Sequence, residues 1–171
     1  TLDGAWTTDT MASTTPIESI QGNRLDDVYV STGYGKPPYK WDGIGWNLIE
    51  PQPPGMYIYD TASDSAGRLY AASSLSPSMP GYVYGLTGAS WGVDQMTVGG
   101  FVRVIPVEDS IFASGRLSKV SRKDASGWHE DDLADIFHSS SSFLSGLWGN
   151  STDNVWVGGS GGACARWNGM Q

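Results

Sequence analysis

The chain has 171 residues, of which 10 are Lys or Arg and 18 are Asp or Glu, so its formal net charge is −8. An acidic surface repels a phosphate backbone, and nucleic acid is therefore not an expected partner. The chain contains 23 Gly, 8 Trp and 8 Tyr but only 16% charged residues, a composition typical of short strands and tight turns rather than helical bundles. Since no apolar run approaches the roughly 20 residues that span a bilayer, insertion into a membrane is not expected.

The predicted elements repeat along the chain. Each unit contains a short apolar segment, a polar turn, an alternating run, a loop rich in Gly, Ser or Pro, a second alternating run, and a turn that ends in Trp. These parts predict three or four short strands joined by hairpins, because Asp or Asn before Gly supplies the positive φ of a tight turn. The units span residues 11–50, 51–95, 96–132 and 143–171, the last together with residues 1–10.

The first and last units are the most alike. Residues 20–30 align without a gap on residues 147–157, with Gly, Asn, Asp and two Val at the same positions. The offset of 127 residues divides into three periods of about 42, and a period of roughly 40–45 residues with four strands per unit is the signature of a β-propeller blade. We therefore predict a single all-β domain over residues 1–171, a β-propeller of about four blades, each with four short antiparallel strands.

Both ends of the sequence lie at the same phase of the repeat. The chain begins with Leu2-Asp3-Gly4-Ala5-Trp6 and reaches Trp167-Asn168-Gly169 at its other end. The segment from Trp6 to Thr10 is expected to supply the outer strand of the last blade and so to close the ring, which would remove exposed strand edges. The alternative is a section of a longer ring, completed by a second copy or by another chain.

Residues 128–138 interrupt the repeat and predict a short helix. Acidic residues come first, apolar residues follow at Leu133, Ile136 and Phe137, and His138 stands at the end, an order that suits the helix dipole. The segment lacks the second His at helical spacing that a zinc protease helix requires. No metal is therefore expected here.

Several of these runs resemble a known kind of repeat. Asp27-Val28-Tyr29-Val30, Tyr39-Lys40-Trp41-Asp42-Gly43-Ile44-Gly45-Trp46 and Ala165-Arg166-Trp167-Asn168-Gly169 resemble the repeats of tectonin-type and related secreted propellers, and the resemblance covers essentially the whole chain. Residues 121–128 are also similar to the Asp-box turn of sialidase-like propellers, with the glycine displaced. The resemblance implies a secreted or cell-surface lectin that binds sugars between blades or on loops. Because the four units differ in sequence, we expect one or two sites rather than four.

Four aromatic residues are candidates for ligand binding. Sugar recognition needs flat aromatic faces beside polar groups, and the chain offers Tyr34, Tyr39, Tyr82 and Trp91 in or near its predicted loops. For Trp91, packing between blades is the alternative. The same packing role is expected of the other tryptophans that recur with the repeat, which are Trp41, Trp46, Trp128 and Trp167.

Two features that could support catalysis are better explained by structural roles. Cys164 is the single cysteine, so no internal disulfide can form, and its alanine neighbours predict a buried strand residue. Residues 158–162 have the form Gly-x-Ser-x-Gly, but a hairpin loop is expected there instead of the strand-to-helix turn of a nucleophile elbow. We expect a non-catalytic propeller without cofactor that binds a glycan. The alternatives are a protein-interaction scaffold and a section of a larger propeller hydrolase.

Overall fold

The computed structural model describes residues 10–11, 15–34, 36–50, 57–74 and 80–170. In this part of the chain the strands form four antiparallel sheets, which follow one another in sequence apart from one short strand of the second sheet that interrupts the first. The first sheet contains β1 (Ser19–Arg24), β2 (Asp27–Ser31), β4 (Tyr39–Trp41) and β5 (Trp46–Leu48). The second contains β3 (Gly33–Tyr34), β6 (Tyr57–Ser63), β7 (Leu69–Ser74), β8 (Pro80–Thr87) and β9 (Ser90–Val98).

The second half of the chain repeats this arrangement. The third sheet contains β10 (Phe101–Val107), β11 (Ser110–Gly115), β12 (Lys119–Asp124) and β13 (Gly127–Asp132). The fourth contains β14 (Gly146–Ser151), β15 (Asn154–Gly158) and β16 (Cys164–Trp167). A one-turn helix, α1 (Ala134–Phe137), lies between these sheets, and a 3₁₀ turn (Ser160–Gly162) joins β15 to β16.

The four sheets are the blades of a propeller. Strands β1, β6, β10 and β14 pack side by side in that order, and a cavity of about 180 Å³ lies between them. Neighbouring blades meet through buried apolar side chains, as where Tyr70 and Val83 of the second blade contact Phe101 and Ile111 of the third. The predicted all-β, four-bladed propeller is confirmed, with three strands in the fourth blade among the described residues.

The strongest sequence repeat corresponds to one bulged hairpin. The pairing register shifts between Gly22 and Arg24 in the first blade, and it shifts at the aligned place, between residues 149 and 151, in the fourth. Gly43 has φ +92°, and a Cβ added there would lie 3.3 Å from the Cβ of Asp26. Its counterpart at residue 169 makes the same approach to the aspartate aligned with Asp26. In the first and fourth units the two recurring parts therefore touch, which explains why they recur in phase.

Two expectations are corrected by the structure. The predicted helix over residues 128–138 is wrong for its first half, because Trp128 to Asp132 form the outer strand of the third blade and pair with β12. Within residues 128–138, helical structure is confined to α1. Cys164 does lie in a strand, but its side chain is exposed, because the alternation of β16 turns the next residue, Ala165, toward the third blade. The expected closing strand near Trp6 lies outside the described residues.

A fully buried carboxylate ties three blades together at their inner strands. Asp60 of β6 accepts hydrogen bonds from the side-chain amide of Gln21 in β1, at 3.1 and 3.4 Å to its two oxygens. It also accepts one from the backbone N–H of Val104 in β10, at 3.1 Å, and one from the N–H of Thr61, at 3.0 Å. Burial raises the pKa of Asp60 above its ordinary value, against the effect of these donors.

We expect Asp60→Ala to lower the free energy of unfolding by on the order of 3 kcal/mol, because it leaves two buried N–H groups without an acceptor. Urea denaturation followed by circular dichroism measures the change. The matched control is Asp135→Ala, at an exposed position of α1, which should alter stability by no more than about 0.5 kcal/mol. Equal, small effects of the two variants would contradict the role given to Asp60.

Candidate functional site

An open hollow of about 550 Å³ lies on one face of the propeller, beside the turns that join β1 to β2, β6 to β7 and β10 to β11. These turns are short because each connects neighbouring antiparallel strands. The hollow therefore has walls from three blades. We call it the hairpin hollow, and its residues are Arg24, Asp27, Tyr29, Lys40, Ser63, Asp64, Ser65, Ala66, Gly67, Pro106 and Glu108.

An ion pair with two hydroxyl partners occupies this hollow. The carboxylate of Asp27 lies 2.9 Å from Nζ of Lys40. It accepts hydrogen bonds from the hydroxyl of Tyr29, at 2.8 Å, and from that of Ser63, at 3.3 Å. The lysine ammonium also lies 5.3 Å from the centre of the Tyr29 ring, within the range of a cation–π contact.

Strand geometry explains how these groups meet. Asp27 and Tyr29 are two residues apart on β2, so their side chains share one face of the sheet. Lys40 stands directly across from Tyr29 on β4 and shares that face. Ser63 reaches the same place from the end of β6, in the second blade. The site therefore forms only when the first two blades are packed together.

The ionisation of the cluster follows from these contacts. Burial would raise the pKa of Asp27, but hydrogen bonds from Lys40 and Tyr29 outweigh it and hold that pKa below its usual value of 3.8. The hydrogen bond to Asp27 raises the pKa of Lys40. The pKa of Tyr29 is also raised, mainly by burial and to a smaller extent by its hydrogen bond to the Asp27 carboxylate. At neutral pH the hollow thus holds a fixed anion, a fixed cation and a neutral phenol.

Two further acids of the hollow support its turns. The carboxylate of Asp64 accepts hydrogen bonds from the backbone N–H groups of Ala66, at 3.0 Å, and Arg68, at 2.8 Å. Glu108 accepts one from the N–H of Thr152 in the fourth blade, at 2.9 Å. The walls are therefore held by their own side chains. Across the described residues, no group of three or more His, Cys, Asp or Glu is placed to hold a metal ion.

The aromatic candidates from the sequence lie elsewhere. Tyr39 is only 6% exposed in β4. The backbone of Tyr34 pairs with Tyr57, while its side chain lies outside the described part of the chain. Tyr82 and Trp91 both pack against the buried cluster that contains Tyr84 in the second blade. Of the four, Tyr39, Tyr82 and Trp91 do not line the hairpin hollow.

The sequence repeat contains a pattern that predicts the polar residues of the hairpin hollow, although the many aromatic residues of the chain make this pattern hard to recognise. Asp27, Tyr29 and Lys40 align in the repeat with Asn154, Trp156 and Arg166. In the fourth blade the Trp156 indole donates a hydrogen bond to Asn154, at 3.1 Å, and the Arg166 guanidinium lies 5.9 Å from its ring centre. The same constellation thus recurs with an amide in place of the carboxylate. Comparison of aligned polar positions between units could have found it.

The Gly-x-Ser-x-Gly segment forms a loop, as expected. Ser160 begins the 3₁₀ turn between β15 and β16, and its hydroxyl oxygen accepts a hydrogen bond from the N–H of Phe143, at 2.9 Å. This contact fixes the loop against the segment that leads into β14. No described helix is long and apolar enough to cross a membrane.

Comparison with known proteins identifies the fold but no family. No protein-family model and no curated protein matches the chain. Among solved structures, the chain is similar to "YCF48 bound to D1 peptide", with a TM-score of 0.67 and 13% identity over 88% of this chain and 50% of the other. It is also similar to the crystal structure of a mitotic checkpoint complex, with a TM-score of 0.60 and 12% identity over 98% of this chain and 57% of the other. The chain thus spans about half the length of both.

The lowered pKa of Asp27 predicts how acid affects stability. A carboxylate with a lowered pKa stabilises the folded state above its unfolded pKa, and this contribution is lost as the pH falls through its folded pKa. We expect the difference in unfolding free energy between the wild type and Asp27→Asn to be constant from about pH 7 to 5 and to shrink below about pH 4. Urea titrations at several pH values measure it. A difference that grows toward low pH would contradict the assignment.

Proposed function

We propose that this chain is a non-catalytic binding propeller whose ligand is an extended segment of another protein, held at the hairpin hollow. The observation that carries the proposal is the Asp27–Lys40 ion pair, fixed by Tyr29 and Ser63 in an open hollow with walls from three blades. Groups held in place by their own contacts lose little entropy when a ligand binds. A peptide backbone offers both donors and acceptors, and the hollow presents both in return.

Two further observations support a protein ligand. One similar propeller was solved with a bound peptide and the other within a checkpoint complex. The net charge of −8 favours ligands that carry Lys or Arg, because complementary charge speeds and orients association. Secretion or display at the cell surface is part of the proposal, in keeping with the resemblance to secreted propellers.

A peptide selection tests this function. We would select from a displayed library of peptides of about twelve residues and measure the dissociation constants of the enriched peptides by calorimetry. We expect Lys40→Met to weaken binding roughly tenfold or more, because it removes a donor to the peptide carbonyls and the ion pair that holds Asp27 in place.

The matched control is Lys119→Met, since Lys119 forms a comparable ion pair with Glu130 in the outer part of the third blade. This variant should bind the peptides as the wild type does. Failure to enrich any peptide, or equal binding by the wild type and Lys40→Met, would refute the proposal.

A glycan is the second candidate ligand, favoured by the aromatic group of the second blade. The rings of Tyr82 and Tyr84 are stacked with centroids 5.7 Å apart, and Trp91 packs against the same cluster. The half-buried rings of Tyr82 and Trp91 could stack on a sugar face.

A glycan array separates this candidate from the first. Binding that is lost in Tyr82→Ala and Trp91→Ala but retained in Lys40→Met would indicate a lectin. The variants Tyr34→Ala and Tyr39→Ala extend the test to the other two predicted residues, with circular dichroism as the check on folding. A silent array would remove the glycan as a candidate.

A further inference from the structure

The fourth blade differs from the others at its outer edge. The first three blades each end in an outer strand that carries a tryptophan near its start, at Trp46, Trp91 and Trp128. In the fourth blade β16 is the last strand, and it pairs with β15 on its inner side. Among the described residues nothing pairs with its outer side. An unpaired strand edge offers backbone donors and acceptors to another strand.

The first blade shows what stands at this place in a complete blade. Trp46 pairs directly with Trp41, and the centres of their rings are 5.5 Å apart. Trp167 of β16 aligns with Trp41 in the sequence repeat. In a complete fourth blade, an outer-strand tryptophan would therefore lie beside Trp167, as Trp46 lies beside Trp41 in the first blade.

The third blade shows where such a tryptophan packs. Trp128 of β13 lies against the apolar cluster between the second and third blades, which includes Val83 of β8 and Ile111 of β11. The repeat relates the second and third blades to the third and fourth. The corresponding socket for the fourth blade is therefore expected between the third and fourth blades, and it should include residues of β11 and β12. The structure has a groove at that place.

The groove has a volume of about 420 Å³, within the range of roughly 300–1,000 Å³ that is usual for ligand pockets. Its wall on the third blade includes Phe112 and Val120, and its wall on the fourth includes Val157, Ala165 and Trp167. These apolar walls match the surroundings of Trp128. The groove therefore has the shape and surface chemistry of an aromatic socket.

The rim of the groove selects the charge of its occupant. Asp131 and Asp132 line it, and a third acid of the rim, Glu130, already pairs with Lys119. Arg166 also lines the groove, with its guanidinium 5.9 Å from the ring centre of Trp156 in the same blade, so the acids of the rim outnumber its one base. An acidic rim around an apolar socket favours an aromatic side chain flanked by basic residues.

We propose that this groove binds a strand of a partner protein, which adds antiparallel to the outer edge of β16 and inserts an aromatic residue flanked by Lys or Arg between the third and fourth blades. In this mode backbone hydrogen bonds supply affinity, and the side-chain socket supplies specificity. The site is separate from the hairpin hollow and does not depend on the function proposed for it.

The test uses a fluorescein-labelled peptide of sequence Gly-Ile-Gly-Trp-Lys-Leu-Lys. Its first six residues follow residues 43–48 with Lys in place of Asn47, and a second Lys is added at the end. We expect saturable binding by fluorescence anisotropy to the full chain, and slower hydrogen exchange of the amides of residues 164–167 in the complex. A peptide with Ala in place of Trp, and one with Glu in place of both Lys, should each bind roughly tenfold more weakly or worse.

Neighbouring residues of β16 provide matched variants. Ala165 faces the groove, whereas the preceding residue, Cys164, is exposed and does not line it. We expect Ala165→Asp to weaken binding by roughly tenfold or more and Cys164→Asp to leave it unchanged. Lys40→Met should also leave it unchanged, so the outcome is independent of the peptide selection at the hairpin hollow.

Three results would overturn the proposal. One is the absence of peptide binding by the folded wild type. Another is equal weakening by Ala165→Asp and Cys164→Asp, which would place the peptide elsewhere. The third is binding that occurs only in Trp6→Ala, because the chain's own Asp3-Gly4-Ala5-Trp6 sequence would then be the occupant instead of a partner.

Discussion

The packing of the inner strands depends on one buried carboxylate. Asp60 accepts hydrogen bonds from the first blade through Gln21 and from the third through the backbone of Val104. A carboxylate in an apolar interior is tolerated only with such donors, so the three inner strands must take one relative position. Ser63 ends the same strand as Asp60 and contacts Asp27. The geometry that satisfies Asp60 therefore also builds the hairpin hollow.

The fold could be predicted because its repeat is local. In the first unit, Gly43 packs on Asp26, which is close to it in the sequence. Contacts between residues that are close in sequence recur with the repeat, so the sequence shows them as a periodic pattern. Residues 128–132 misled the prediction for the opposite reason. Their local pattern favours a helix, but pairing with β12 satisfies more backbone hydrogen bonds than an isolated helical turn would.

The site was harder to predict because its residues come from separate strands. The contact between Lys40 and Asp27 requires β4 to pair with β2, although β3 intervenes in sequence and belongs to the second sheet. Tyr39, one of the aromatic residues that composition brings forward, is buried in β4 instead. Aligned positions in the fourth blade carry a neutral amide and a larger ring in the same geometry. One scaffold thus presents different chemistry from blade to blade, as expected when function resides in sites rather than in folds.

The short strand β3 has a mechanical consequence. The chain leaves the first blade after β2, adds Gly33 and Tyr34 to the inner edge of the second blade, and returns to form β4. The first two blades are therefore joined by strand pairing of the main chain. Among the described residues, the later junctions rely on side chains and on backbone hydrogen bonds outside any strand pair, such as those from Leu144 to Gly115 and from Ser118 to Ser142. Under load the first pair should move as one rigid body, and bending should concentrate at the junctions that follow it.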